Sequence, residues 1–394
     1  MRCLEGIRVL DISNVIAGPY AASIMGEFGA EVIKVEMPGK GDTSRLMGPL
    51  YEGKSERWPT LGRNKKCVTL DLHQPEGKEL FFKLVEKSDV VIENFRTGTI
   101  DKWGIGVDEM KKRNPDIIVT HVTGYGQTGP YRENSGYGTP VTAFSGVTYC
   151  QGFPDRPPVN ITFSLADYTA GLYAVIGTMF ALYCKKVNNG PSQEVDVSLY
   201  EGLFRMQESL IADYYFKGKV KERTPVLSGS SCPSGVFETK DHSYVVLVCT
   251  GDNVFQYLAQ TMKRPDLAEK YALTKTRLED ADTVNGIVRE WIKEHDCKDL
   301  LEKCKANKVA IDKIYSVKDI FEDPHYAFRK NIVEVEDPTF GKIVQPSVTP
   351  VLTETPGEIR WSGQLMGQSN KEIYGDFLGL SEETLNEYKE KGII

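Results

Sequence analysis

Gly6-Ile7-Arg8-Val9-Leu10-Asp11, then Gly18 to Gly29, then Ala30-Glu31-Val32-Ile33-Lys34-Val35-Glu36 form the first regular unit of the chain. They read as strand, helix and strand. The second strand is dense in β-branched residues and ends in an acid. A strand pair bridged by a helix pairs in parallel, so the unit predicts a βαβ crossover. In outline this is a dinucleotide fold, with Glu36 where a ribose-binding acid stands. The turn, however, reads Val15-Ile16-Ala17-Gly18-Pro19 and lacks the three glycines of that fingerprint. Pro19 suits the first turn of any helix. NAD or FAD binding is therefore not the expectation.

Outward from this unit the alternation continues. Cys67 to Leu72 reads as a strand, and Pro75 to Lys87 as a helix with Leu80, Leu84 and Val85 on one face. Asp89 to Phe95 is a strand, Val107 to Arg113 a short helix and Asp116 to Val122 another strand. Strands alternating with helices predict an α/β protein, a Rossmann-like, mostly parallel sheet covered on both faces. The segment Thr123-Gly124-Tyr125-Gly126-Gln127-Thr128-Gly129-Pro130 follows the last of these strands directly. Ligands bind outside the carboxyl ends of such strands, so this loop, Asn94-Phe95 and the turn after Asp11 are expected to converge. The glycines by themselves fit an ordinary turn equally well.

Ser164-Leu165-Ala166-Asp167-Tyr168-Thr169-Ala170-Gly171 leads into an apolar run to Leu182. Leu172, Val175, Ile176, Met179 and Phe180 recur at i, i+3, i+4, i+7 and i+8, the signature of a helix with one buried face. Ser164 reads as the helix start, with Asp167 in the first turn at the positive end of the dipole. Taken alone, Asp167 reads as an ordinary helix-start acid. A strand Glu194 to Leu199 and a long helix Tyr200 to about Phe216 follow. Residues 1–216 are expected to be the first part of a large domain, 217–228 a charged linker, 229–316 a small α+β domain and 317–394 a return to the large one. In the small domain Val236 to Cys249 reads as a hairpin turning near Lys240-Asp241, with helices at Asn253 to Met262 and Val284 to Glu294. The tail reads as a helix from Val317, strands Ile332 to Val335 and Ile343 to Val348, and a terminal helix from Ser381.

With 394 residues and a net charge of -7, the chain has room for a large core and no electrostatic footprint for nucleic acid or an anionic membrane. No apolar run is expected to reach the ~20 residues of a membrane span, and the N-terminus shows no signal-peptide pattern. Eight cysteines stand singly, without zinc spacing, which reads as reduced thiols in a cytoplasmic protein. Five histidines are scattered, and His121 inside an apolar strand reads as a core residue. The chain has no Gly-x-Ser-x-Gly elbow, no Walker loop and no His-Glu-x-x-His. Serine hydrolase, NTPase and zincin readings fail on their motifs, and no metal is implied. A carboxylate nucleophile remains: with an ordinary pKa of about 3.9 it is ionised at neutral pH without a base. Full burial would cost several kcal/mol, so a working carboxylate is expected at a cleft mouth. The glycine-rich loop is a candidate source of backbone donors for an oxyanion.

Several stretches in order carry a resemblance. They are Leu4 to Asp11, Ala17-Gly18-Pro19, Gly29 to Glu36, Asn64 to Leu72, Glu93-Asn94-Phe95, Gly124 to Pro130 and Ala166-Asp167-Tyr168. Together the chain resembles the class III CoA-transferases, the family of formyl-CoA and carnitine CoA-transferases, over nearly its whole length. Asp167-Tyr168, Leu199-Tyr200-Glu201, Arg205-Met206 and Asp213-Tyr214 look closer to the carnitine branch. The resemblance implies that Asp167 attacks an acyl-CoA thioester, and that the mixed anhydride is opened by CoA to an aspartyl-CoA thioester, from which an acceptor acid takes the CoA. It implies CoA contacts at Ile16, Ala17, Leu72, Asn94, Phe95, Arg96, Lys102 and Tyr137, with Arg96 and Lys102 toward the phosphates. It also implies an interlocked homodimer with the active site between domains, a CoA thioester as substrate and no tightly bound cofactor. Two departures stand out. Ile16 replaces the glutamine of formyl-CoA transferases, and Ser228-Gly229-Ser230-Ser231-Cys232-Pro233 replaces their glycine run. Oxalate is therefore not the expected acceptor; a more apolar acid is. The rival readings are an acyl-CoA racemase of the same fold and a CoA-binding protein without catalysis. The racemase histidine would fall near Tyr137, and an ordinary tyrosine, with pKa around 10, is a poor base. A covalent acyl adduct separates all three.

Overall fold

The computed structural model describes residues 1–207, 209–224 and 230–394. The chain divides into two units: Met1–Thr148, Asn160–Val220 and Ala327–Ile394 form the first, and Tyr149–Val159 with Lys221–Tyr326 the second.

The first unit is built on six parallel strands: β1 (Arg8–Asp11), β2 (Glu31–Glu36), β3 (Lys65–Thr69), β4 (Val90–Glu93), β5 (Ile118–Thr123) and β6 (Glu194–Ser198). Their order across the sheet is β3-β2-β1-β4-β5-β6, every neighbouring pair parallel. This is the doubly wound arrangement, and the order reverses between β1 and β4. Helices α1 (Ala17–Glu27), α2 (Pro75–Val85), α3 (Val107–Arg113), α4 (Gly138–Phe144) and α5 (Leu165–Asn188) cover it. Both sheet faces are buried, which is why the strands read as nearly continuous apolar runs. Val9, Val32, Ile92 and Ile118 pack with Ala21, Ala22 and Met25 of α1 and Ala170 and Ala174 of α5. Leu10, Ile33, Val68, Val91 and Val119 pack on the other face with Leu80, Phe81 and Leu84 of α2 and with Tyr374 and Ile393. Each such side chain contributes roughly 1.5–3 kcal/mol by leaving water.

The sequence reading is corrected here at two places along the chain. α5 is 24 residues long and holds an 18-residue stretch with a mean hydropathy of 1.3, enough by length and composition to cross a membrane, whereas no such run was expected. Its buried face is also not the one expected: Leu172, Ile176 and Phe180 are exposed, and the small residues pack instead, with Ala166, Ala170 and Ala174 buried and a methyl on Gly171 falling 2.9 Å from the Ala17 carbonyl. Second, the long helix expected from Tyr200 to Phe216 is two helices, α6 (Glu201–Arg205) and α7 (Leu210–Lys217). Gln207 turns aside to donate to the Ser145 carbonyl, a tertiary bond that periodicity does not carry.

The second unit holds an antiparallel sheet in the order β9-β8-β7, from β7 (Ser234–Glu238), β8 (Tyr244–Val248) and β9 (Ile311–Lys313). Phe237, Leu247, Leu258, Val288 and Leu300 form its core with the flanking helices. Arg277 is fully buried there, donating to the Cys232, Tyr271 and Ala272 carbonyls and to Asp252 at 2.9 Å. Tyr149–Val159 joins this unit through Tyr149, whose hydroxyl donates to Glu222 at 2.7 Å. Of the Ser228–Pro233 segment, Ser228 and Gly229 lie outside the described residues.

Candidate active site

The carboxyl ends of β1 and β4 meet at the point where the strand order reverses. Asn14 and Asn94 lock them together: the Asn14 amide donates to Asn94 Oδ1 at 2.7 Å, and Asn94 Nδ2 donates to the Asn14 carbonyl at 2.7 Å. Beneath this stitch lies a buried charge lattice. Lys65 Nζ stands 2.8 Å from Asp11, and Lys34 Nζ lies 2.9 Å from Asp42 and 3.6 Å from Asp11. All four side chains are buried. Burial works to raise the Asp11 carboxyl, but the charges of Lys34 and Lys65 outweigh it and hold it below the usual range. Burial likewise opposes the Lys34 charge, and Asp11, Asp42 and Glu36 overcome it. Lysines inside parallel strands had been read as part of the strand pattern, and this lattice was not anticipated.

A cavity of about 620 Å³ opens over these strand ends, lined among others by Asn14, Thr43, Leu72, His73, Phe95 and Trp103. Trp103 meets Phe95 and His73 edge to face, at 4.7 and 4.8 Å between ring centres. Of the expected CoA contacts, Leu72 and Phe95 line this cavity. Asn94 serves the stitch. Ile16 and Ala17 are buried at the start of α1. Arg96 and Lys102 are exposed, Arg96 donating to Ser135 Oγ at 3.0 Å. Glu36 is bound by both Arg45 nitrogens at 2.7 Å and accepts from the Asp42 amide, so it is engaged within the protein. Trp103 and His73 were missed, although a tryptophan beside Lys102 and a histidine beside Leu72 were there to be read.

Asp167 sits in the first turn of α5, half-buried. Ser164 occupies the cap position, but its side chain makes no capping bond, so the cap pairing expected from sequence does not form. The carboxylate lies against the start of α4: a Cβ on Gly138 would fall 2.0 Å from Asp167 Oδ2. Only glycine leaves room for the acid there. Next to Gly138 in the chain, Tyr137 is 70% exposed at the α4 cap. Burial pushes the Asp167 carboxyl up to about 6, with its own backbone amide pulling weakly the other way. The expectation was an acid at a cleft mouth with its ordinary value near 3.9; the half-buried position instead raises it before any substrate binds. Desolvation exceeds what a helix dipole supplies to an exposed group. Among the described residues no cation pairs with it. Tyr168, beside it, packs edge to face on Tyr20 of α1 at 4.8 Å, so the tyrosine left open by sequence is at least a packing residue.

The glycine-rich loop reaches the same place differently from the expectation. Gly124 and Gly136 touch backbone to backbone, a Cβ on either falling within 2.5 Å of the other's Cα. That contact fixes the segment leading to Tyr137 and Gly138. The Gly126 and Gln127 amides are spent on Thr123 Oγ1 and Asp196, so these two are not oxyanion donors. His121 is buried on β5 with Nδ1 2.5 Å from Glu93. Burial disfavours its charge, but the glutamate bond outweighs this and raises its pKa. It is a partnered core group, as read from sequence.

The model of CoA-transferase family III matches residues 4–370. A succinyl-CoA–D-citramalate CoA-transferase of Chloroflexus aurantiacus is 39% identical over 100% of this chain and 98% of its own. The β subunit of a succinyl-CoA–L-malate CoA-transferase from the same organism is 41% identical, covering 99% of this chain and 98% of its own. Among solved structures, a CAIB/BAIF family protein from Brucella suis superimposes with a TM-score of 0.83 at 28% identity, over 95% of this chain and 99% of that one.

Proposed function

The chain belongs to CoA-transferase family III and is a CoA-transferase, and on that premise we propose that it carries CoA from succinyl-CoA to a small dicarboxylic acid through Asp167. The observation that carries this reading is the half-buried Asp167 carboxylate, lacking a cation among the described residues and set against Gly138. An under-solvated carboxylate keeps its charge unneutralised and available for attack. Asp167 Oδ attacks the thioester carbonyl, and the C–S bond breaks to release CoA thiolate. The thiolate attacks the aspartyl carbonyl of the anhydride, freeing the first acid as its carboxylate. The acceptor carboxylate then displaces CoA from the aspartyl thioester. CoA finally attacks the acceptor side of the new anhydride, releasing the product thioester and restoring Asp167. Atoms and charge balance without a redox step.

The names of the two relatives favour succinyl-CoA as donor and a malate- or citramalate-like acceptor, larger than oxalate. We place the CoA nucleotide in the cavity of Leu72, Phe95 and Trp103, with Ile16 and Ala17 along the path to Asp167 and Arg96 and Lys102 toward the phosphates. A homodimer fits the outer face of α5, where Leu172, Ile176, Phe180, Tyr183 and Val187 form an exposed apolar stripe that a second copy would cover. Free thiols at all eight cysteines fit a cytoplasmic enzyme. Steady-state kinetics with succinyl-CoA and a panel of mono- and dicarboxylic acids test the reading. Parallel double-reciprocal lines with malate or citramalate as a leading acceptor are expected. Intersecting lines, or oxalate as the best acceptor, would overturn it.

A further inference from the structure

We propose that Arg57 selects substrates by binding the free carboxylate at the far end of a dicarboxylic acyl group. The inference rests on the dicarboxylate reading above and adds the residue that enforces it. Four arginines of the first unit are neutralised, Arg8 on Glu31, Arg45 on Glu36, Arg63 on Glu27 and Arg113 on Glu79, whereas among the described residues the half-buried Arg57 and Arg360 have no carboxylate partner. Arg57 Nε donates to the Gly48 carbonyl at 2.5 Å, which holds the guanidinium in place and leaves its two terminal nitrogens for another acceptor.

The packing brings this group toward Tyr168, the chain neighbour of the nucleophile. Arg57 caps the short helix Trp58–Leu61, whose last carbonyl accepts from Ser23 of α1 at 2.6 Å. One turn earlier on α1, Tyr20 packs against Tyr168, the neighbour of Asp167. The Arg57 charge is near enough to act on the Tyr168 hydroxyl, lowering it against the raising effect of burial. A guanidinium matches a carboxylate with two parallel hydrogen bonds, and a half-buried unpaired one is set up for that geometry. It is separate from Arg96 and Lys102, which the proposed function assigns to the CoA phosphates.

The test compares kcat/KM for succinyl-CoA and for butyryl-CoA, which has the same chain length without the second carboxylate. The wild-type enzyme, R57M and R57K are measured alongside their thermal melting. Wild type is expected to favour succinyl-CoA. R57M should lose roughly 100-fold on succinyl-CoA and little on butyryl-CoA, the loss that follows removal of one member of a desolvated charge pair. R57K should keep an intermediate preference. Wild-type preference for butyryl-CoA, or equal losses on both substrates in a variant that melts normally, would overturn the proposal. Should R57M melt early, R57K decides alone: it must lose more on succinyl-CoA than on butyryl-CoA. Asp167→Asn tests the covalent reading separately, because it removes turnover of both thioesters alike.

Discussion

Asp11 and Asp167 are the same side chain in one folded unit, held in opposite ways. Asp11 is sealed under the strand ends between Lys65 and Lys34, and its carboxyl is driven below the ordinary range. Asp167 is partly stripped of water at the start of α5 and given no counter-charge among the described residues, and its carboxyl rises to about 6. The first arrangement spends the charge on holding three strands and a loop together. The second leaves the charge exposed to chemistry. On the proposed reading, the environments that separate these two like groups divide a structural acid from a reacting one.

Substitution at each aspartate should break the contrast from opposite sides. The largest effect is expected from Asp167→Asn, which lowers kcat by about 10⁴-fold, as loss of a covalent nucleophile does, while thermal melting persists. Asp11→Ala should do the reverse. It strands the buried Lys65, while Lys34 keeps Asp42, and should lower the unfolding free energy by about 3–5 kcal/mol, read by urea titration. The specific activity of the molecules still folded should fall far less. Gly138→Ala comes next. A methyl that would press on Asp167 Oδ2 displaces the carboxylate, and an error of that size costs about 100-fold in kcat.

The smallest effect concerns pH and stability. The folded Asp167 pKa lies above its ordinary value, so the native state binds the proton more tightly than the unfolded chain does. Stability from this group is therefore lost as pH rises from about 4 through about 6, and stays lost above. Asp167→Asn should match wild type in melting near pH 4 and exceed it at pH 7, by of order 1–2 kcal/mol after allowance for the water the group still sees. The acid limb of kcat/KM should have its midpoint near about 6. At Asp11 the sign is opposite. Its stabilising contribution is present above its ordinary value and disappears as pH falls through the depressed one.

The same two regions show how far sequence reading carries. The parallel sheet was legible because both its faces are buried, so β1, β2, β4 and β5 stand out as apolar runs between helices of regular period. Asp167 was legible as a helix-start acid, and its role only through resemblance. Its raised pKa was not legible, since that depends on burial by distant parts of the chain, the start of α4 at Gly138 among them. The Lys34 and Lys65 lattice was missed for a related reason. A charged residue inside a strand reads as an outward one, and only the neighbouring strand ends show its partners. The break after Arg205 depends on Gln207 finding Ser145, and the membership of Tyr149–Val159 in the second unit on Tyr149 finding Glu222. Such side-chain bonds across the chain leave no periodic trace.

Mass spectrometry of the enzyme mixed with succinyl-CoA is the most direct test of Asp167 as a covalent relay. A mass increase that hydroxylamine removes, mapped to the peptide containing Asp167 and missing from Asp167→Asn, is the expected result. An adduct on another residue, or full CoA exchange by Asp167→Asn, would contradict it.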